Sequence, residues 1–345
     1  MRSSSSQHPM LRSSRSLLAR LLGLAVPLAF TGCGGEDSPL APSNSPSGPT
    51  GEATMPADQA TAPTGTLGTT GQRILFTSNR AGSTYYDLYK VDPLWNNLAH
   101  VTSFSDYETE PAWSFDNRQI AMSRPRRDAN NVVHNDIFLM NADGTNKHWA
   151  RPQTASVDIR SPSWSPDGTH LAVAVIMGGK PYLGTIEVAT GNFKFVLFNG
   201  KVIQGNYPSY EPGQGRILYV NDTGKIIMLV DPVANVSYWM VNADTPMSCP
   251  RFSPDGSKIA FQKVVGSNVD IYVKTLRPYS NTVTRLTADP AYDGVPAWSP
   301  DGSRIAFQST RTGNSQIWVM NAATGGSLTR ITHTSADEKS AAWSY

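Results

Sequence analysis

Beyond residue 72 the apolar positions fall in short β-favouring runs separated by turn residues, and no stripe at helical spacing is evident there. The runs repeat. Val295-Pro296-Ala297-Trp298-Ser299-Pro300-Asp301-Gly302 leads into Arg304-Ile305-Ala306-Phe307, and close copies occupy residues 161–173 and 249–261. Two degraded copies begin at Glu110-Pro111-Ala112-Trp113-Ser114-Phe115-Asp116-Asn117 and Tyr207-Pro208-Ser209-Tyr210-Glu211-Pro212-Gly213. The aromatic position recurs at 113, 164, 210, 252, 298 and 343, at spacings of 51, 46, 42, 46 and 45 residues. A period of that size signals radial or solenoid repetition.

One repeat predicts four strands. Ser-Pro-Asp-Gly carries type I turn chemistry, with Pro presetting φ and Gly accepting the positive φ that follows. It therefore joins a strand bearing Pro and a large aromatic to an Ile-Ala-Phe strand. A third strand follows at Gln316-Ile317-Trp318-Val319-Met320, and a fourth at Ser327-Leu328-Thr329-Arg330-Ile331-Thr332. Four antiparallel strands per period in the mid-forties make a β-propeller blade. Strands of the second kind start near 73, 119, 170, 216, 258 and 304, which predicts six blades. The first lacks an aromatic strand before it, and Ser340-Ala341-Ala342-Trp343-Ser344-Tyr345 is an aromatic strand with nothing after it. The expectation is an all-β, six-bladed β-propeller of four-stranded antiparallel blades, its ring closed by the C-terminal strand pairing into the first blade, leaving no open sheet edge.

The N-terminus departs from this pattern. Residues 1–20 are rich in Ser and Arg without acids, and residues 21–30 form an apolar run too short for a permanent membrane span. Residues 1–32 therefore read as a signal peptide. Leu28-Ala29-Phe30-Thr31-Gly32-Cys33 resembles a bacterial lipobox, which makes Cys33 the expected lipidation site. With Cys33 so used, Cys249 has no intramolecular disulfide partner and reads as a small buried hydrophobe. Residues 33–71, built from Gly, Pro, Ser, Thr and Ala, are expected to be a disordered tether with an r.m.s. span of roughly 35 Å. The propeller is assigned to residues 72–345.

Charge changes one conclusion. The chain's formal +2 includes Arg2, Arg12, Arg15 and Arg20; without them 25 basic residues face 27 acidic ones. No basic field recommends nucleic acid.

Taken together, the Trp-Ser-Pro-Asp-Gly copies, Asp136-Ile137-Phe138-Leu139-Met140-Asn141-Ala142-Asp143-Gly144-Thr145, Asp270-Ile271-Tyr272-Val273 and Thr284-Arg285-Leu286-Thr287 resemble the TolB-like six-bladed propellers with WD-like Pro-Asp repeats. The resemblance covers residues 72–345. It implies a periplasmic or envelope-exposed scaffold, the best-known member of which works with an outer-membrane lipoprotein in the Tol-Pal system. The chain departs from that member in having a tether in place of an N-terminal α/β domain.

Tracing strand directions gathers the second-to-third-strand loops and the blade-to-blade connections on one face, opposite the Ser-Pro-Asp-Gly turns. Long polar loops of this kind are where a rigid scaffold carries recognition. The candidate ligand-binding residues there are the arginines Arg80, Arg124, Arg126, Arg160 and Arg311 and the acids Glu108, Glu110, Asp158, Asp293, Asp337 and Glu338. Arg251 joins them because its counterparts are Ala112, Ser163, Ser209, Ala297 and Ala342. One reading is an acidic funnel with a basic surround, suited to a cationic peptide or a divalent cation. The other pairs each Arg with a neighbouring acid and uses each Asp to cap its own turn, and for any single residue this reading has the stronger claim.

Catalytic chemistry finds little support, since the chain has no Gly-x-Ser-x-Gly elbow, no His-Glu-x-x-His and no hydrolase domain after the repeats. Its histidines are scattered, unlike the His cluster of the related oligogalacturonate lyases. The expected function is a monomeric, non-catalytic binding scaffold in the periplasm or at the cell surface, held to a membrane by lipid alone. It recognises an envelope protein or peptide and requires no cofactor. The alternatives are a carbohydrate-active, lyase-like or metal-binding propeller, or a structural assembly subunit.

Overall fold

A computed structural model of the chain describes residues 71–80, 84–152, 157–276 and 282–345. The leader, Cys33 and nearly all of the tether lie outside the described residues, as do Ala81, Gly82 and Ser83 of the first loop.

Six four-stranded antiparallel sheets form blades I to VI. From the inside outward, blade I is Glu338–Trp343, Ile74–Ser78, Asp87–Val91 and Ala99–His100; blade II is Thr109–Trp113, Gln119–Arg127, Val133–Asn141 and His148–Trp149. Blade III runs Asp158–Trp164, His170–Met177, Lys180–Glu187 and Phe193–Phe195, and blade IV Gly205–Tyr210, Ile217–Asn221, Ile226–Asp231 and Val236–Asn242. Blade V is Met247–Phe252, Lys258–Val265, Asn268–Thr275 and Val283–Arg285; blade VI is Asp293–Trp298, Arg304–Thr312, Asn314–Asn321 and Thr329–Arg330. A small extra hairpin, Leu197–Phe198 with Lys201–Val202, sits between blades III and IV.

The turns form for the reasons their residues supply. In Ser165-Pro166-Asp167-Gly168 the Ser165 hydroxyl donates to Asp167 at 2.6 Å and accepts from the His170 amide at 2.9 Å, while Gly168 takes φ +70°. Ser253 and Ser299 repeat the arrangement. In the Ser253 turn burial alone would raise the Asp255 pKa, yet hydrogen bonds from Ser253 and Ser257 hold it at about 2. Blade II keeps the Ser114–Asp116 bond at 2.6 Å but has Phe115 and Asn117 in place of Pro and Gly. Both departures serve ring closure: Phe115 stacks on Tyr345 at 4.2 Å, and Asn117 accepts the Tyr345 amide at 2.7 Å.

The C-terminal strand pairs antiparallel with Ile74–Ser78, setting Trp343 opposite Ile74 and Glu338 opposite Ser78. The core is not central. It consists of six apolar wedges, one between each pair of successive blades. Strands covered on both faces read as continuous apolar runs, and Ile74–Ser78 is buried at every position. Trp113, Trp164, Tyr210, Phe252, Trp298 and Trp343 are all buried in these wedges.

Each inner strand carries a bulge at one position. Glu110, Ser161, Tyr207, Cys249, Val295 and Ser340 all have φ between 50 and 56°, and the pairing register slips there in every blade. Pro follows five of the six, Ala341 the sixth. The inversion swings the bulge amide toward the preceding blade: Ser161 donates to Glu110 at 2.8 Å, Val295 to Gln262 at 2.7 Å and Ser340 to Gln308 at 3.3 Å.

Blade-to-blade packing is tight at Gly325, where φ is +70° and an added Cβ would stand 2.1 Å from the Leu286 carbonyl oxygen of blade V. We expect Gly325→Ala to destabilise the protein by about 2–3 kcal/mol, combining left-handed strain with a backbone clash. Thermal unfolding beside Gly213→Ala, where nothing lies within 4 Å, separates the clash from the strain.

Candidate functional site

Arginines and acids meet on the loop face, but as pairs. Arg311 at the end of the second strand of blade VI donates from Nη2 to both oxygens of Asp293, at 2.8 and 2.9 Å, and Asp293 is fully buried. Arg80 reaches Glu338 at 2.8 Å in blade I, and Arg124 is bidentate to Asp106 at 2.8 and 2.9 Å in blade II. Each of these guanidiniums also lies over rings of its own blade. Arg311 is 4.9 Å from the Trp318 centroid, Arg80 4.4 Å from Tyr89, and Arg124 3.5 Å from Phe104. Planar cations suit this sandwich of carboxylate and aromatic face. The Ser-x-Arg spacing assists, because Ser78 and Ser309 each accept from the arginine two residues on.

The remaining candidates divide. Arg126 bonds Asp136 at 3.2 Å and the Arg151 carbonyl at 3.1 Å. Asp158 accepts the Asn135 amide at 2.7 Å and takes a long contact of 3.4 Å from the partly exposed Arg160. Asp337 accepts from the Ser315 amide at 3.0 Å and from Tyr86 at 3.3 Å, tying the blade VI loop to the closing strand. Glu110 is not at the mouth: it sits on the bulge ring, accepting from Ser123 at 2.7 Å and from Ser161. Glu108 forms no ion pair with an arginine among the described residues, although Arg124 lies near enough to oppose the effect of burial on its pKa. It lies fully buried and takes the Leu88 amide at 2.9 Å and the Thr102 hydroxyl.

Burial pushes the Glu108 carboxyl up to about 8. A carboxyl raised in the folded state makes the protein more stable below the unfolded pKa and costs it stability as pH rises toward the folded value. Between pH 5 and 8 the wild type should therefore lose stability relative to Glu108→Gln, with a slope of up to about 1.4 kcal/mol per pH unit. Urea midpoints across that range read it directly.

Charge pairing thus accounts for most of the arginines, and the funnel's acids are already occupied or buried. Two partners stand outside the candidate residues: Asp106, on the same loop-face connection as Glu108, and Asp136, marked only by its repeat with Asp270 near the start of the third strand. Between blades I and II a tyrosine group stands beside Arg124. Tyr107 packs 5.4 Å from Tyr85 and 6.1 Å from Tyr86, and Lys339 lies 4.6 Å from the Tyr86 centroid. Blades VI, I and II each place such an arginine on the loop face, and the tyrosine group stands at the junction of blades I and II.

All six inner strands line a cavity of about 90 Å³ in the central channel, on the side of the Ser-Pro-Asp-Gly turns; Glu110, Arg251, Val295, Ser340 and Tyr345 face it. Arg251 bonds only the Pro250 carbonyl, at 3.0 Å, and forms no ion pair with a described residue. Cys249, buried beside it, is disulfide-bonded, against the expectation of an isolated apolar side chain. The chain's other cysteine, Cys33, lies outside the described residues. Among the described residues no three His, Cys, Asp or Glu side chains are arranged to hold a metal ion.

Fold and site define a closed six-bladed β-propeller with a polar loop face. It is similar to TolB proteins: the family model of the TolB beta propeller domain matches residues 208–345. The protein TolB homolog of Chlorobium chlorochromatii is 31% identical over 36% of this chain and 28% of its own length. The Tol-Pal system protein TolB of Francisella tularensis is 35% identical over 22% of this chain and 17% of its length. The chain thus spans less than a third of these curated relatives. The TolB crystal structure from Acinetobacter baumannii superposes with a TM-score of 0.64 at 18% identity, covering 79% of this chain and 66% of that one, a likeness of fold.

Proposed function

We propose that this protein is a non-catalytic binding scaffold of the bacterial envelope that recognises a protein or peptide partner through its loop face. The observation that carries the reading is the set of partly exposed arginines on the loop face of blades VI, I and II, with the tyrosine group between blades I and II. Its guanidiniums are held rigid by carboxylates and rings, so that little entropy is lost on docking. Arg and Tyr are the residues that anchor protein interfaces. Similarity to proteins named for the Tol-Pal system supports an envelope location and an envelope protein as partner; the leader supports export, and the protein acts as a monomer. Lipidation of Cys33 would anchor it to a membrane. A thioether at Cys33 and a disulfide to Cys249 exclude one another, and intact mass without reductant distinguishes the two forms.

The test is cross-linking capture from the native envelope with the mature protein and with a Tyr85→Ala, Tyr107→Ala variant that melts normally. One envelope protein retained by the first and lost by the second is the expected result. Equal recovery, or none, overturns the proposal, and turnover assays on envelope carbohydrate with added divalent metal would then take precedence.

A further inference from the structure

The central channel contains a mismatch of hydrogen-bonding groups. At the seam of blades II and III, the Glu110 carboxylate accepts the Ser161 hydroxyl at 2.9 Å and the Ser161 amide at 2.8 Å. At the equivalent seam of blades VI and I, Val295 stands where Glu110 stands and Ser340 where Ser161 stands, with the same backbone inversion: φ 53° against 54°, and 54° against 56°. The Ser340 amide is satisfied by Gln308 at 3.3 Å, but its hydroxyl, in a residue only 2% exposed, has no partner. Buried polar groups of this kind ordinarily find one. Arg251 lines the same cavity, from a position where every other blade has Ala or Ser.

We propose that the channel cavity is a binding site for a small carboxylate, held by the Arg251 guanidinium and the Ser340 hydroxyl, the ligand supplying at the VI–I seam the carboxylate that Glu110 supplies at the II–III seam. Arg251 donates a bidentate fork that matches a carboxylate, and its charge has no ion-pair partner among the described residues. Burial lowers the Arg251 pKa, opposed by the nearby Glu110 and Tyr345, so the cation is held where solvent compensates it poorly. Glu110 does not fill this role, because both its oxygens already accept from Ser123 and Ser161. The cavity of about 90 Å³ admits a few heavy atoms, the size of acetate rather than of a sugar chain. This site lies on the turn side of the channel and does not rest on the partner proposed for the loop face.

Acetate is the probe. Ligand-observed NMR on the mature chain, titrated at constant ionic strength with chloride as balancing anion, should show saturable acetate binding with a Kd of about millimolar order. Arg251→Ala should weaken it at least tenfold while melting as the wild type does in chloride, since the other blades tolerate a small residue there. Ser340→Ala should weaken it several-fold. Val295→Glu, which supplies an internal carboxylate at the position matching Glu110, should abolish acetate binding. No saturable acetate binding in the wild type, or binding unchanged by both Arg251→Ala and Val295→Glu, overturns the proposal.

Discussion

Removing residues 340–345 should abolish cooperative folding of the propeller at physiological temperature. The segment carries most of the inner strand of blade I, with Trp343 opposite Ile74 and Ala342 opposite Leu75. Beyond it, Ser344 exchanges hydrogen bonds with Arg73 at 2.8 and 2.9 Å. Trp343 is 4% exposed in the wedge between blades VI and I, and Trp343→Ala alone should cost about 3–5 kcal/mol. The truncation also exposes the edge of Ile74–Ser78, uncovers both flanking wedges and removes Tyr345 from Phe115 and Asn117. Its total effect is comparable with the whole stability of an ordinary domain, about 5–15 kcal/mol. Circular dichroism melts check it: a truncated protein melting within a few degrees of the full chain would refute the closure. A circular permutant that fuses 338–345 ahead of residue 72 should melt close to the wild type, because the same strand completes blade I from either terminus.

Asp293→Ala should destabilise the protein by about 3–5 kcal/mol, far more than an ordinary surface ion pair contributes. Asp293 is fully buried, Arg311 is 12% exposed, and the carboxylate stands in for water that would otherwise solvate the guanidinium. The large effect comes from stranding that cation. Adding Arg311→Met to Asp293→Ala should therefore recover most of the loss, since both charges leave together and the new side chain packs against Trp318 and Phe307. Urea unfolding of the two single variants and the double variant forms the test; additive losses would mean that the pair is not coupled. Reversing Asp293 and Glu338 to Lys should unfold blades VI and I, so charge reversal at these positions reads stability and not partner binding.

Most of the architecture was legible because its signals are local and repeated. The Ser-Pro-Asp-Gly turns are set by bonds two to five residues apart, and each wedge needs an aromatic at one fixed place in the repeat. The count of six and the return of the C-terminal strand followed from matching a missing strand to a surplus one. Even the degraded turn of blade II was visible as Phe115 and Asn117, although its reason was not: Tyr345 is 228 residues from Asn117. The candidate residues were legible as types, not as roles. Arg80 and Glu338 are 258 residues apart, and only the closed ring brings them within 2.8 Å.

What the sequence determined by itself, then, was the blade, its period, the number of copies and the way the ring ends, since all of these arise from turn chemistry and alternating burial within one repeat. The tertiary structure decided which carboxylate each arginine meets, that Glu108 is buried on Leu88 and Thr102 and not paired with an arginine, and that six inner strands invert at one level around a channel. Those outcomes depend on side chains from neighbouring blades competing for the same hydrogen bonds. Ser340 repeats Ser161 in side chain and backbone while Val295 repeats Glu110 in backbone alone, and the partner missing between them becomes visible only when the two seams are compared in space.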